Sequence, residues 1–224
     1  MRSARIYRTA RYIPLNLSSF QDMTLTRVPA NLISGFLGAG KTTVILNLLA
    51  QRPPAERWAV LINDFGKIIL NDAVRDSGGG IVAREVSGGC ICCTAQVELR
   101  TALVRLLREA RPQRLLIELS SAGRPSAILN VLREKSIAEA LDLRASLCVL
   151  DPHQFADPAL GARADYLEQM VFADILVINK NDTAGSVEMA KIREAAAKLP
   201  GRMAVVTAQG QISATLLDAP ARSA

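Results

Sequence analysis

The chain has 224 residues, half of them hydrophobic, so it can bury a sizeable core. Its length fits one α/β domain better than two small ones. No hydrophobic run approaches the roughly 20 residues that cross a bilayer, and the first residues lack the apolar core and cleavage site of a secretory signal. The sequence therefore predicts a cytoplasmic protein with no membrane partner.

The formal charge of +6 is concentrated at the N-terminus, where residues 1–27 contain five arginines and one aspartate. A nucleic-acid surface needs clustered Lys and Arg, often with stacking aromatic side chains, and aromatic residues make up only 4% of this chain. We therefore expect no nucleic-acid partner. Residues 1–27 are interpreted as a basic arm, for which a targeting peptide, a disordered segment and sequence upstream of a start at Met23 are alternatives.

Short hydrophobic runs alternate along the chain with stretches of helical spacing, a pattern typical of βα units around a largely parallel sheet. The predicted strands are 28–34, 58–62, 81–86, 114–119, 145–150, 174–178 and 203–206. The predicted helices are 42–51, 95–110, 125–134, 137–141, 161–171, 186–198 and 211–217. The pattern predicts one domain over residues 28–217 and an unstructured tail at 218–224.

Residues 35–42 read GFLGAGKT and match the phosphate-loop pattern G-x-x-x-x-G-K-[ST] between a predicted strand and a predicted helix. Glycines allow such a loop to curl until its N–H groups face phosphate oxygens, and the helix adds the positive end of its dipole. Lys41 would reach the β- and γ-phosphates, and the Thr42 hydroxyl would bind Mg²⁺. The loop residues predicted to contact nucleotide are Gly35, Gly38, Ala39, Gly40, Lys41 and Thr42.

The predicted strand 174–178 runs directly into the N-K-x-D motif formed by residues 179–182. The Asp182 carboxylate can accept hydrogen bonds from N1–H and the 2-amino group of guanine, a pair that adenine cannot supply. Asn179 would bond the base or brace the phosphate loop, and the Lys180 stem would cover the ring. The motif favours GTP, with an inosine or ATP preference as the alternative.

Three of the four cysteines lie in the segment SGGCICC. A disulfide framework is disfavoured in a chain without an export signal, and adjacent Cys92 and Cys93 could pair only through a strained ring. Three thiolates can bind one Zn²⁺ or another transition metal ion and leave a position open for ligand exchange. We interpret Cys90, Cys92 and Cys93 as this metal site, with water, Asp64 or a client side chain as the fourth ligand. Cys148, inside ASLCVL, is predicted to be a core residue.

The segments GFLGAGKTT, NDFGK, GGCICC, LLIELSSAGRP, CVLDPHQF and EQMVFADILVINKND resemble the CobW-type P-loop GTPases in order and spacing, over about residues 28–216. HypB and UreG are related, but C-x-C-C before a helix is similar to the CobW-type group specifically. The resemblance implies an α/β fold with a doubly wound, mostly parallel sheet, of the P-loop NTPase (SIMIBI-type GTPase) class. It also implies hydrolysis of GTP to GDP and phosphate, delivery of zinc, cobalt or iron to a client metalloprotein, and a GTP-linked homodimer.

The resemblance also implies roles for single residues. It places phosphates and Mg²⁺ on Gly38, Gly40, Lys41, Thr42 and Thr43, and guanine on Asn179, Lys180 and Asp182. Glu118, at the end of the predicted strand RLLIEL, would support Mg²⁺ or water, as a hard cation beside a phosphate loop requires. The catalytic residues expected on this basis are Lys41, Glu118 and Asp64.

Three features depart from the family pattern. Ser121 stands where the E-x-x-G pattern of the second switch has glycine, and Lys67 ends the segment NDFGK where the family usually has glutamate. We expect the chain to lack the family's C-terminal domain and histidine-rich tract, and we expect His153, the one histidine of this sequence, in a loop rather than as a ligand. An alternative function is therefore a nucleotide- and metal-binding regulatory module with little hydrolysis. A small-molecule kinase is disfavoured by the N-K-x-D motif and the cysteines.

Overall fold

The hydrophobic runs of the chain assemble into one parallel sheet covered by helices. The computed structural model describes residues 27–62, 78–86, 95–121 and 123–222. In these ranges eight strands form the sheet: Val28–Gly35 (β1), Trp58–Ile62 (β2), Ile81–Glu85 (β3), Arg114–Glu118 (β4), Leu141–Leu143 (β5), Leu147–Leu150 (β6), Ile175–Ile178 (β7) and Met203–Val206 (β8).

Helices connect and flank these strands within the same ranges. They are Lys41–Ala50 (α1), Ala95–Ala110 (α2), Pro125–Leu132 (α3), Lys135–Ala138 (α4), Pro152–Ala156 (α5), Pro158–Gly161 (α6), Ala164–Phe172 (α7) and Ser186–Ala197 (α8), followed by a 3₁₀ helix at Ala214–Asp218. Among the described residues, no helix has the length and hydrophobicity needed to span a bilayer.

The strands lie in the order β3-β2-β4-β1-β6-β7-β8, and each neighbouring pair in this series is parallel. The short strand β5 pairs with the beginning of β1. Because the order reverses around β1, helices cover both faces of the sheet, as expected for a doubly wound fold. The predicted fold class is confirmed.

Alternating side chains of β1 divide the core between the two faces of the sheet. Leu32 packs in the cluster that contains α2 and α3, whereas its neighbour Ile33 packs with α1 and the 3₁₀ helix. A third cluster joins β6 and β7 to α7 and α8 and includes Cys148. The prediction of Cys148 as a core residue is confirmed, and burial raises the pKa of its thiol to about 12.

A buried asparagine closes the gap where β1 changes partners. Residues 28–30 of β1 pair with β5, and residues 33–35 pair with β6. Between them Asn31 donates from Nδ2 to the carbonyl oxygens of Ala145 and Leu217, at 2.9 and 3.0 Å, and accepts a hydrogen bond from Arg114 at 3.1 Å. One side chain thereby supplies a donor to two backbone carbonyl oxygens beside the break and links β1 to the 3₁₀ helix.

Most predicted elements agree with the structure to within a few residues, but some predictions were wrong and some elements were missed. The helix predicted at 137–141 is shorter, at Lys135–Ala138, and residue 141 already begins β5, which was missed. The helices α5 and α6 were also missed, so His153 lies in a helical turn rather than a loop. The prediction for residues 1–26 as a basic arm lies outside the described residues.

The prediction of an unstructured tail from residue 218 is wrong for residues 218–222. Ala145 N donates to Ala219 O at 2.9 Å, and Arg144 forms an isolated antiparallel bridge with Pro220. The Arg222 guanidinium contacts Asp174 at 2.9 Å. These contacts hold the segment against the amino ends of the central strands, so the folded unit extends at least to residue 222.

Candidate nucleotide site

Five segments with polar residues meet at the carboxyl edge of the sheet. Gly35 ends β1 and Glu118 ends β4, while Asp151, Asn179 and Thr207 directly follow β6, β7 and β8. Ligands of open α/β sheets bind at this edge, beside the strand at which the order reverses. That strand is β1, and the phosphate-loop sequence follows it directly.

The backbone of the phosphate loop occupies conformations that only glycine adopts without strain. Gly35, Gly38 and Gly40 have φ of 140°, 79° and 105°. A Cβ at residue 40 would lie 2.4 Å from Asn179 Nδ2, and one at residue 35 would lie 2.4 Å from the Val149 carbonyl oxygen. The glycines are therefore required by both backbone geometry and close packing.

Lys41 begins α1 and folds back across the phosphate loop. It is buried, and its Nζ donates to the carbonyl oxygens of Gly35 and Phe36, at 2.9 and 3.3 Å. Ala39 N donates to the Phe36 carbonyl at 3.2 Å and closes a turn inside the loop. The ammonium group therefore lies on the loop itself, where it can meet a phosphate chain held by the loop.

Thr42 and Glu118 bring two oxygen ligands together at the start of α1. The Thr42 hydroxyl donates to Glu118 Oε1 at 3.1 Å, and the glutamate is only 1% exposed. A buried carboxylate next to a hydroxyl is a donor set that suits a hard cation such as Mg²⁺. The residues present therefore fit a magnesium ion bound together with a nucleotide phosphate.

Asn179 links the base-reading motif to the phosphate loop. Its side chain is buried, donates from Nδ2 to Ala39 O at 3.0 Å and accepts from Gly210 N at 2.9 Å. Its own backbone N–H donates to Leu150 O at 2.8 Å. Of the two sequence alternatives for Asn179, these contacts correspond to bracing the phosphate loop.

Lys180 and Asp182 follow Asn179 with different surroundings. Lys180 has a φ of 58°, and its Nζ contacts Asp151 Oδ2 at 2.7 Å. This contact holds the Lys180 side chain against the residue that follows β6. Asp182 is exposed, so its carboxylate is available to a ligand.

Sequence reasoning missed two parts of this region. Gln169, on α7, is 2% exposed, accepts from Gly35 N at 2.7 Å and donates to Ser121 O at 3.0 Å. The segment after β8 also contacts the site, because Asn181 N donates to Thr207 O at 3.1 Å and Gly210 bonds Asn179. For Gln169 the sequence did contain a signal, namely a glutamine on the hydrophobic face of a predicted helix.

Other predicted site residues lie elsewhere or outside the described ranges. Asp64, Lys67, Cys90, Cys92 and Cys93 fall outside the described residues, so their roles stay predictions. His153 Nδ1 lies 3.3 Å from Asp151 Oδ1, and its Nε2 lies 3.7 Å from Glu188. The part of the chain that the structure describes contains no group of three His, Cys, Asp or Glu residues placed to hold a metal ion.

A glycine-rich loop between β1 and α1, with a base-reading motif after β7, defines a P-loop nucleotide-binding protein. The model of the family "CobW/HypB/UreG, nucleotide-binding domain" matches residues 29–207. The chain belongs to this family, as the sequence resemblance predicted.

Two curated relatives and one solved structure illustrate the similarity. Zinc chaperone YeiR of Escherichia coli is 40% identical over 194 residues, which cover 86% of this chain and 59% of that protein. Zinc-regulated GTPase metalloprotein activator 1 of Schizosaccharomyces pombe is 29% identical, over 80% of this chain and 45% of that protein. Zn(II)-bound YjiA GTPase from E. coli has a TM-score of 0.61 at 23% identity, over 85% of this chain and 61% of that one, a likeness of fold alone.

Proposed function

We propose that this chain binds and hydrolyses GTP and uses the cycle to deliver a metal ion, in the first place zinc, to a client metalloprotein. The observation that carries the proposal is the hydrogen bond from Asn179 of the N-K-x-D motif to Ala39 of the phosphate loop, which joins the two motifs in one site. Family membership and the names of two relatives, zinc chaperone and zinc-regulated GTPase metalloprotein activator, support it. The chain spans about three fifths of the length of the first curated relatives, so the activity of the whole protein is part of the proposal.

In the proposed reaction the chain's own groups position and polarise the triphosphate. The N–H groups of the loop would donate hydrogen bonds to phosphate oxygens, and the Lys41 ammonium would move from the loop carbonyls onto the β- and γ-phosphates. Thr42 and Glu118 would hold Mg²⁺, which when bound neutralises charge on the phosphates. Asp64, which lies outside the described residues, stays the predicted residue for orienting water.

Turnover measurements test the hydrolysis. We expect phosphate release from GTP that depends on Mg²⁺, and a loss of roughly a hundredfold in Glu118→Gln, because the amide retains the size of the carboxylate but not its charge. Glu194→Gln, at an exposed position of α8, is the matched control and should not change the rate. Unchanged turnover in Glu118→Gln would remove this residue from the proposed site.

Cys90, Cys92 and Cys93 are proposed to hold the metal ion that is delivered. Thiolates are zinc ligands, so bound Zn²⁺ should protect these residues from alkylation. Mass spectrometry after alkylation with and without zinc identifies the protected cysteines, and Cys148 is the internal control. Equal labelling of the three cysteines in both states would contradict the site.

Nucleotide and metal are proposed to be coupled, because the cysteine segment follows β3 in the sequence and β3 ends at the same edge of the parallel sheet as the strands that carry the nucleotide site. By linkage, zinc must then change GTP affinity by the same factor by which GTP changes zinc affinity. Equilibrium binding of a GTP analogue with and without zinc measures this factor. Equal affinities would remove the coupling while leaving hydrolysis intact.

The alternative function is a nucleotide- and metal-binding regulatory module with little hydrolysis. Ser121 favours it, because a side chain stands where the resemblance places a glycine of the second switch. A chain that binds GTP and zinc but shows no zinc-dependent turnover, even at concentrations that allow dimers, would support this alternative.

The client protein, the GTP-linked homodimer and the division into domains belong to the same proposal. Residues 28–217 would form the nucleotide-binding domain, with the segment to residue 222 packed against it. The cytoplasmic location stays a prediction from the sequence.

A further inference from the structure

Gln169 is a buried polar residue on the hydrophobic face of α7. Its helical neighbours Tyr166 and Met170 are also buried and belong to the core cluster under β6 and β7. The side chain of Gln169 instead reaches the first residue of the phosphate loop and the segment after β4, at Gly35 N and Ser121 O. It therefore joins three segments that are far apart in sequence.

The two partners of Gln169 specify a glutamine. Gly35 offers a backbone N–H, which only an acceptor can satisfy, and Ser121 offers a carbonyl, which only a donor can satisfy. Because both partners are backbone groups of fixed polarity, the orientation of the amide is determined. An ionised glutamate could accept from Gly35 but could not donate to Ser121, and methionine has no donor and only a weakly accepting sulfur.

The bond to Gly35 belongs to a larger support of the phosphate loop. Gly35 is held through its N–H by Gln169 and through its carbonyl by Lys41, at 2.9 Å. Ala39, near the other end of the loop, is held by Asn179. Gln169 lies on α7 and Asn179 directly follows β7, the next strand in the chain, so this helix–strand unit supports both ends of the loop.

The bond to Ser121 connects this support to the region where a third phosphate would lie. Lys41 and Thr42 would contact the γ-phosphate side of a nucleotide, and Thr42 is hydrogen-bonded to Glu118, which ends β4. Ser121 is three residues beyond Glu118, in the segment that leaves this edge of the sheet. A shift of that segment on binding or loss of the third phosphate would change the length of the hydrogen bond to Gln169.

We propose that Gln169 is a positioning residue that couples the phosphate loop to the Ser121 segment and thereby sets the discrimination between GTP and GDP. The proposal rests on the proposed GTP cycle. It assigns to Gln169 an effect on the third phosphate without contact with nucleotide. A residue that only stabilised the fold would affect both nucleotides equally.

Equilibrium binding of GDP and a non-hydrolysable GTP analogue tests this role. Gln169→Met fills the same space but loses both hydrogen bonds, so we expect the preference for the analogue to fall about tenfold. GDP affinity should change less than about threefold, because Gly35 remains paired with Val149 of β6. An unchanged ratio of the two affinities would overturn the proposal.

Gln169→Glu separates the two hydrogen bonds. At high pH the introduced carboxylate keeps an acceptor for Gly35 but lacks a donor for Ser121, so the lowered preference should persist. As the pH falls through the pKa of this carboxyl, its O–H can donate to Ser121, and the preference should rise toward the wild-type value measured at the same pH. Absence of such recovery would count against the Ser121 bond.

Gln51 provides a matched control. At the end of α1 it accepts from Ala214 N at 2.9 Å and donates to Ile212 O at 2.8 Å, which are the same two kinds of backbone bond away from the carboxyl edge. Gln51→Met should leave the ratio of GTP-analogue to GDP affinity unchanged. An equal change in both variants would assign the effect to general loosening of the fold.

Hydrogen exchange in the nucleotide-free chain keeps this inference separate from the proposed function. Gln169→Met should speed exchange of the Gly35 amide and of the segment that contains Ser121 together, whereas Gln51→Met should speed neither. Faster exchange at Gly35 alone would overturn the coupling. A wild-type chain that bound no guanine nucleotide would instead overturn the proposed function, whatever the exchange result.

Discussion

Gly40 allows no side chain between the phosphate loop and the base-reading motif. Gly40→Ala would place a Cβ 2.4 Å from the Asn179 amide at a φ of 105°, which is strained for any L side chain. We expect a loss of about 2–4 kcal/mol in the free energy of unfolding, measured by urea denaturation, together with weaker nucleotide binding. Gly201→Ala is the control, because Gly201 has a φ of 73° but no atom within 4 Å of its Cβ position. This control should lower the free energy of unfolding by about 1 kcal/mol. Equal losses of unfolding free energy in Gly40→Ala and Gly201→Ala would show that the contact with Asn179 does not contribute.

Asp182 is the residue at which base specificity can be tested alone, because its side chain is exposed whereas Asn179 supports the loop. Xanthine carries a C2 carbonyl where guanine has an amino group, so an amide at position 182 can pair with N1–H and this carbonyl. Asp182→Asn should lower GTP affinity roughly a hundredfold and raise affinity for xanthosine triphosphate by a similar factor. Asp182→Ala should lower GTP affinity without raising the affinity for xanthosine triphosphate. Unchanged GTP affinity in both variants would place base recognition elsewhere.

At the scale of elements, the Asn31 side chain bridges the junction of β1, β5 and β6. Asn31→Ala would remove the Asn31 donor from the carbonyls of Ala145 and Leu217, of which Leu217 O keeps a hydrogen bond from Arg114 at 3.2 Å. We expect the free energy of unfolding to fall by about 2–4 kcal/mol, while nucleotide affinity stays within about twofold because Asn31 lies away from the carboxyl edge. Asn130→Ala, at an exposed position of α3, should cost less than about 0.5 kcal/mol in the same measurement. A similar cost for both variants would contradict the bridging role.

The elements that sequence predicted well are those whose hydrophobic pattern is long or continuous. The buried runs of β2 and β7 and the apolar stripe of α2 belong to this class. The strand β5 was missed because it has three residues, of which only Leu141 is fully buried, so no period can be recognised. The helices α5 and α6 did carry a signal, since each begins with an Asp–Pro pair whose aspartate caps the helix.

The same distinction applies to the site, where some features are local in sequence and others join residues far apart in sequence. The phosphate loop and the N-K-x-D motif are continuous in sequence, so their chemistry could be predicted from residue types and spacing. The bridge from Gln169 to Gly35 joins residues 134 positions apart. No local pattern specifies such a contact, because it arises only when α7 packs on the sheet.

At the scale of the whole molecule, the described residues contain an eight-stranded sheet with helices on both faces. A chain that begins at residue 27 should therefore keep its fold, including the hydrogen bond from Arg27 Nε to Leu141 O at 2.9 Å. We expect its free energy of unfolding to stay within about 0.5 kcal/mol and its GTP affinity within about twofold of the 224-residue chain. Chemical denaturation and nucleotide titration of both chains check this. A large loss of unfolding free energy or of GTP affinity would show that residues 1–26 contribute to the fold or to the site.

The contact between Asn179 and the phosphate loop has a consequence for synthesis on the ribosome. The loop emerges early, but its support at Ala39 comes from a residue 140 positions later. At about 5–20 residues per second, roughly 7–28 s separate the appearance of the two. A nascent chain therefore carries the loop sequence for seconds without the support that shapes it, and the loop gains this support only after Asn179 has been made.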